Sequence, residues 1–484
     1  MLMNTTLKST VKGVLKNSVA RIAAVRFVRE DNGSMTIFTV MLLMMMLLVG
    51  GIGVDLMRNE MERTRVQATI DRAVLAAADL DQTLDPEAVV NDYFAKAGMS
   101  GYLTSVTVDE GLNFRTVTAR ARTTTPTQFM RLMGVEELSV PAGGQAEERI
   151  SNVEISMVLD ISGSMGRNGK MANLQDAAKT FVDTVIREET EDLISMSLIP
   201  YTAQVSAGQG IFEAMQMTRQ SGNPSWCVDF APADFDTATV RMDGTYEQMQ
   251  YFDEGWSYSK PVNNPGCPGR DGPGVGSSRA YEQIFPFSQD ANTLKSRIDQ
   301  YRARANTSIH IGMKWGVAML DPSFKPVVQE LSLNNSVDSA FASRPAAYED
   351  PETLKTIILM TDGQNVNTTR IQPWYYNSYS ERVHWTKYPL HWYLRNYVGG
   401  SWNNWRYTKY TSAQADDMLE NICDAAKAKG IVVWSVGFEV TNYSAGVMEN
   451  CASSPSHFFR VEGVEISDAF EAIANQINQL RLTQ

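Results

Sequence analysis

The sequence predicts an α/β protein: a doubly wound, mostly parallel sheet covered by helices on both sides, preceded by a transmembrane helix and a small α+β stalk. Three observations predict it. Residues 35–54 form one apolar run without a charge. Beyond residue 153, short strands that are apolar on both faces alternate with helical segments, the pattern of a buried parallel sheet. One of those strands, Val153 to Leu159, ends in Asp160-Ile161-Ser162-Gly163-Ser164, at the end of the sheet where ligands bind.

The chain has 484 residues, of which 43% are apolar and 20% charged, and a formal net charge of -12. That length exceeds one ordinary domain and supports a sizeable core. The acidic balance argues against a nucleic-acid binder, which needs a basic patch to neutralise phosphates. The run Met35 to Val54, MTIFTVMLLMMMLLVGGIGV, is roughly 30 Å long as a helix and matches a bilayer core. A cleavable leader would have a shorter apolar region and a small-residue site after it. Here Asp55, Arg58, Glu60, Glu62 and Arg63 come directly after the run. Lys8, Lys12, Lys16, Arg21, Arg26 and Arg29 precede it against only Glu30 and Asp31. The positive-inside rule therefore places residues 1–34 in the cytoplasm and everything after residue 55 outside it, as a single-pass protein.

The helix is expected to continue outward through residues 56–80, which lack Gly and Pro. Leu56, Val66, Ile70, Val74, Leu75 and Ala78 fall roughly on one face. Residues 55–150 form the helical and stalk region. Tyr102 to Val108 and Phe114 to Ala121 read as short strands, Pro126 and Pro141 punctuate the stretch after residue 121, and the stalk ends near Ala146. In residues 151–484 the expected strands are 153–159, 193–199, 356–360, 431–438 and 458–461. The expected helices are 174–186, 309–320, 413–429 and 466–480, with Gly430 stopping the third. Two stretches break the alternation. Residues 203–300 are rich in Gly, Pro and Asp, and residues 366–412 are crowded with Trp and Tyr. Insertions of such length are functional or disordered, and so many aromatics argue against disorder.

The cysteines are Cys227, Cys267, Cys423 and Cys451, with no C-x-x-C pair and too few histidines for a zinc site. Outside the cytoplasm they are expected as disulfides. Three connectivities are possible and the sequence does not choose, although pairing by neighbourhood joins Cys227 to Cys267 and Cys423 to Cys451.

Asp160, Ser162 and Ser164 leave one strand end, Asp362 leaves another within Thr361-Asp362-Gly363, and Asn306-Thr307-Ser308 precedes a helix. All three segments belong at one edge of the sheet. Carboxylates and hydroxyls without thiolate or imidazole suit a hard cation, magnesium first and manganese or calcium next. Enzymatic patterns fail. Ser164 is preceded two residues earlier by Ser162 rather than Gly, so there is no nucleophile elbow. Gly169-Lys170 lacks the first Gly and the final Ser or Thr of a phosphate loop. His384 and His391 carry no H-E-x-x-H around them and read as part of the aromatic surface. No enzymatic activity is expected.

This set, D-x-S-x-S at Asp160, Ser162 and Ser164, then Thr307, then T-D-G at Asp362, resembles the von Willebrand factor type A (VWFA) domain and its metal-ion-dependent adhesion site (MIDAS). The resemblance implies a Rossmann-like sheet. It also implies that both serines and Thr307 ligate the metal through hydroxyls, while Asp160 and Asp362 act directly or through water. An acidic residue of a protein partner would fill the open coordination position. The segment from Gly33-Ser34 through Val54-Asp55, Arg65, Asp71, Ala73 and Ala76 to Ala78 resembles the N-terminal part of TadG-like proteins of the tight-adherence (Flp) pilus apparatus. That resemblance implies a bacterial inner-membrane protein with its C-terminal domain in the periplasm or at the cell surface. Its partners would be pilus or Tad-apparatus components. The competing expectation is a surface adhesin or matrix-binding protein unrelated to pili. Phe38 stands where a prepilin processing site would have Glu, so an uncleaved anchor is expected. For the aromatic insertion two readings stand open. It walls the metal site and presents Trp374, Trp385, Trp392 and Trp402 to a partner, or it packs on the domain's own flank.

Overall fold

The computed structural model describes residues 32–79, 82, 84–110, 114–149, 152–253, 262, 264–269 and 279–483. The cytoplasmic placement of the N-terminal segment therefore falls largely outside the described residues. The chain divides into two compact units, Met1–Arg149 and Ile150–Gln484.

The first unit begins with one unbroken helix, α1 (Asn32–Ala78). Among the described residues α1 is the helix long and apolar enough to cross a membrane. Nearly every side chain from Met35 to Val49 faces outward, as an apolar helix does in lipid. Past the apolar run, Val66, Ile70, Ala73, Val74 and Ala77 are buried against α2 (Pro86–Lys96) and a three-stranded sheet. Leu75 does not share this face and is 66% exposed. At 100° per residue it stands about 180° from Val66. Leu56 is also exposed. Helix α2 has no counterpart in the sequence reading, yet its start carries the usual signals: the Asp85 carboxylate accepts the Ala88 N–H at 2.8 Å, and Pro86 opens the first turn. The antiparallel sheet has the order β1 (Leu103–Glu110), β2 (Phe114–Pro126), β3 (Glu137–Arg149). Strand β3 runs straight through Pro141 and Gly143-Gly144, although the proline reads as punctuation. It is an edge strand, where proline is tolerated.

The second unit holds a six-stranded sheet. Its strands are β4 (Asn152–Asp160), β5 (Ile194–Tyr201), β6 (Phe285–Ser288), β7 (Thr353–Thr361), β8 (Val432–Phe438) and β9 (Phe458–Val461), in the order β9-β8-β7-β4-β5-β6. All neighbours pair parallel except β5 with β6. Strand β6, four residues with a proline, is a short antiparallel edge that the sequence pattern does not show. Counted along the chain the order is 6-5-4-1-2-3, the doubly wound arrangement, with its switch point between β4 and β7. Helices α3 (Lys170–Val185), α4 (Ala291–Asp299) and, at the chain's far end, Glu465–Thr483 cover one face. Helices α5 (Ile309–Ala318) and α6 (Ser412–Ala428) cover the other.

Strand β4 is buried along its length after Asn152. Helix α5 approaches it closely because Gly312 and Gly316 face it. A Cβ on Gly316 would lie 2.5 Å from Val158 Cγ2, and one on Gly312 would lie 2.7 Å from the Tyr201 ring. At the strand starts, the Lys355 ammonium bonds the Glu154 carboxylate at 2.5 Å and the Leu320 carbonyl at 3.0 Å. Cys227 pairs with Cys267 and Cys423 with Cys451, the pairing by neighbourhood.

His310, on α5, is fully buried. Its Nδ1 lies 3.1 Å from Asn365 Oδ1, an oxygen that also accepts the Ile309 N–H, so Nδ1 carries the proton. Among the described residues Nε2 has no partner. Burial pushes the imidazole down to about 4. The folded protein therefore refuses a proton that the unfolded chain accepts. Stability from this group is complete above the unfolded value near 6.5 and falls as pH drops toward about 4, by roughly 3 kcal/mol. Chemical denaturation of the wild type and His310→Gln between pH 7 and 4 is expected to show a shallower loss in the variant.

Candidate metal centre

The predicted residues meet at the switch point. Asp160, the last residue of β4, is fully buried, and its Oδ1 accepts the Ser162 N–H at 2.7 Å. Its Oδ2 accepts the Thr361 hydroxyl of β7 at 2.7 Å. The Ser162 and Ser164 hydroxyl oxygens are 3.1 Å apart, and Ser164 donates to Asp362 Oδ1 at 2.6 Å. Asp160, Ser162, Ser164 and Asp362 thus form one linked set. Burial pushes the Asp160 carboxyl up to about 6, and the charge of Asp362 adds to the effect. The Tyr201 hydroxyl, at the end of β5, donates to the Met360 carbonyl at 3.0 Å and ties the three strand ends together.

Thr307 arrives on a separate segment that backbone hydrogen bonds stitch to the other two. Gly163 N–H donates to the Ala305 carbonyl at 3.1 Å, and Arg304 N–H to the Ile161 carbonyl at 3.0 Å. Val366 N–H, just past Asp362, donates to the Thr307 carbonyl at 3.1 Å. Backbone hydrogen bonds therefore join the three segments to one another.

Two further charged residues stand at this edge. The Lys170 ammonium, nearly buried at the start of α3, lies 3.1 Å from Asp362 Oδ2 and 3.3 Å from Glu439 Oε2. In the sequence Lys170 shows only as part of a failed phosphate-loop pattern. Glu439 directly follows β8, so the strand-end logic that exposes Asp160 and Asp362 would also find it. Three carboxylates (Asp160, Asp362, Glu439) against one ammonium leave a formal -2, the charge one divalent cation neutralises. Among the described residues no group of three His, Cys, Asp or Glu side chains has the arrangement of a metal site. A cation here would draw on serine and threonine hydroxyls beside the two aspartates, which is the donor chemistry of a hard ion.

The aromatic insertion packs on the loop containing Cys227 and Cys267. Together they bury Met249, Tyr251, Phe252, Ile371, Trp385 and Leu394 in a small core of their own. The four tryptophans expected as a contact surface separate. Trp374 is 59% exposed, Trp392 and Trp402 are half-buried, and Trp385 is 2% exposed with its indole N–H donated to the Tyr375 carbonyl at 2.7 Å. Trp385 is thus an interior residue. The periodicity of so short an aromatic segment does not say which rings turn inward. His384 lies among Trp385, Tyr388 and Tyr393, and His391 against Trp402. A notch of about 200 Å³ opens between Tyr375, Glu381, His384 and Trp405. It is smaller than a drug-sized pocket and of a size for one side chain.

An ion triad roots the insertion. Arg370 holds Asp229 through two bonds, at 2.7 and 3.3 Å, and Lys409 reaches the same carboxylate at 2.7 Å. Burial alone would raise the Asp229 carboxyl, but the two cations hold it below the usual range.

Residues 33–80 match the sequence model of the family described as putative Flp pilus-assembly TadE/G-like. The N-terminal segment is TadE/G-like. The second unit has the doubly wound, mostly parallel sheet that the resemblance to the type A domain implies. Solved structures similar to the chain include the vWF domain of the type V pili tip protein Mfa5 from Porphyromonas gingivalis, at 13% identity and a TM-score of 0.35 over 69% of this chain and 97% of that one. The pilus adhesin SpaC from Lactobacillus rhamnosus GG gives 14% and 0.33 over 78% and 34%. The von Willebrand factor type A protein from Catenulispora acidiphila gives 9% and 0.28 over 77% and 49%. The chain spans about a third to a half of the latter two, and scores of this size add nothing to the strand order already given. No curated protein matches the sequence.

Removing the shared carboxylate strands two cations. Asp229→Ala is expected to cost roughly 3–5 kcal/mol. Limited proteolysis should then cut first within residues 366–412 while the six-stranded sheet stays intact.

Proposed function

We propose that this is a membrane-anchored protein-binding module of the tight-adherence (Flp) pilus apparatus, and that its type A unit holds a partner through a divalent cation. The observation that carries the metal reading is the linked set Ser162–Ser164–Asp362 beside Asp160 at the switch point. Asp160, Ser162, Ser164, Thr307 and Asp362 would hold the ion, magnesium first and manganese or calcium next. The ion would supply a fixed positive charge that accepts an acidic side chain of the partner. The TadE/G-like segment supports the pilus setting. A surface adhesin unrelated to pili would keep the type A unit but gives no reason for that segment.

The positive residues before α1 support an N-terminus in the cytoplasm, with the second unit in the periplasm or at the cell surface. Two disulfides fit an oxidising compartment. The reading is of binding rather than turnover. Thr361, Ser162, Ser164 and Lys170 already engage the site's carboxylates, which leaves none poised as a general base. Exposed Trp374, Tyr379 and Tyr397 and the notch beside Tyr375 are parts of the insertion that a partner could touch.

Calorimetric titration of magnesium into the full chain in detergent, beside Asp160→Ala, tests the assignment. Saturable binding by the wild type and its loss in the variant are expected. Absence of binding in both, with and without acetate standing in for the partner's carboxylate, would overturn it. Lys170 supplies a second test. Lys170→Met removes the ammonium that lies beside Asp362, so the metal-free protein should melt at a lower temperature. Magnesium affinity should rise about tenfold or more, because the ion then meets a formal -3. Equal affinity in both forms would show that the ion does not sit within reach of Asp362.

A further inference from the structure

The tip of the β2–β3 hairpin, residues 127–136, is built against the apolar part of α1. Asp55, 2% exposed, uses its carboxylate to accept the backbone N–H groups of Gln128 at 3.0 Å, Phe129 at 2.7 Å and Met130 at 2.8 Å. The Phe129 ring lies over Gly51, where an added Cβ would come within 2.3 Å of it. Gly51 is inside the uncharged run, three residues before its end, or ~4.5 Å along the helix axis. The other side of the tip faces outward and is apolar: Leu132 is 79% exposed, Met133 60%, Val135 37%. Residues 127–136 carry two charged side chains, Arg131 and, at the base of the tip, Glu136.

The backbone of this turn is prepared for a dry setting. Besides the three N–H groups taken by Asp55, Thr127 donates to the Glu136 carbonyl. Leu132, Gly134 and Val135 donate to carbonyls of Phe129, Arg131 and Met130 at 3.1 to 3.2 Å. Non-helical backbone at membrane depth is tolerated only when its polar groups are satisfied by protein. The same bonds resolve the position of Asp55, an acid at the edge of a membrane span that would otherwise be costly.

We propose that this tip is an interfacial membrane element. Leu132 and Met133 enter the headgroup–acyl boundary of the leaflet on the stalk side, next to the exit of α1, as the apolar face of a monotopic segment does. The partner is the lipid surface itself. Arg131 at the same turn meets lipid phosphate. With the helix and the tip both seated, the stalk is held in the membrane at two points. The proposal rests on the reading of α1 as a membrane span.

The test uses the full chain in phosphatidylcholine–phosphatidylglycerol vesicles. The native cysteines are disulfide-bonded, so single added cysteines, at Leu132→Cys and separately at Met133→Cys, can carry an environment-sensitive fluorophore. Met45→Cys reports the span, and Asp109→Cys, on the exposed edge of β1, reports water. Lipids spin-labelled near the headgroup, for positions 132, 133 and 109, and near the acyl-chain end, for position 45, serve as quenchers beside aqueous iodide. Positions 132 and 133 are expected to lose most of their emission to the labelled lipid and little to iodide, the reverse of position 109. If position 45 is quenched by lipid while 132 and 133 behave like 109, the tip sits in water and the proposal falls, although the span stands. Protection of 132 and 133 from both quenchers would mean that protein covers them, which also overturns it. Failure of lipid to quench position 45 would remove the span and the proposal with it.

Discussion

The candidate centre depends on the register of β4 against β7. The two strands run parallel with Glu154 beside Lys355 and Leu159 beside Met360. At the strand starts, the buried Glu154–Lys355 ion pair bridges them. At the strand ends, Thr361 donates to Asp160. A slip by one residue would turn every side chain of β4 to the opposite face of the sheet. It would also carry a buried carboxylate away from its partner at each end, and an unpaired buried charge is among the most costly defects a fold can hold. Register is therefore specified twice, and both specifications set the distance between Asp160 and Asp362.

That constraint propagates outward. Because β4 is central, α5 packs on it, and Gly312 and Gly316 remove the side chains that would hold the helix off. The start of α5 is where Thr307 and Ser308 lie, and Ser308 N–H bonds the Thr202 carbonyl just beyond β5 at 2.9 Å. Position of the threonine is thus set by helix packing together with the backbone hydrogen bonds of its own segment. Only part of the insertions stands apart from this arrangement: the loop carrying Cys227 and Cys267 and residues 371–394 build a small core of their own, fastened by Asp229, Arg370 and Lys409. Val228, Phe230 and Phe235 instead join the main core beside Trp315, and Asn264 accepts the Ala305 N–H at 2.8 Å.

The first unit follows a different physical rule. Its long helix exposes nearly every side chain along the first part of the apolar run, a surface suited to lipid. Where the run ends, a single carboxylate, Asp55, organises the adjoining hairpin through three N–H bonds. Small residues again permit contact, with Gly51 under Phe129 and Gly144 under Ile70.

Much of this fold is legible in the sequence, for a reason that differs by element. Strands β4, β5, β7 and β8 read clearly because both their faces are buried, which leaves continuous apolar runs. The end of β4 reads clearly because a carboxylate and two serines stop such a run abruptly. The long apolar helix declares itself by length and absence of charge. Elements stabilised by position rather than composition are hidden: β3, which tolerates Pro141 because it lies at an edge, and β6, which is four residues long. Tertiary structure alone decided that Lys170, at the start of α3, joins the strand-end carboxylates. It alone turned Trp385 inward and left Trp374 outward, and it alone brought Asp55 to residues 128–130. Sequence determines which segments must leave water; which charges then meet is settled by the packing that encloses them.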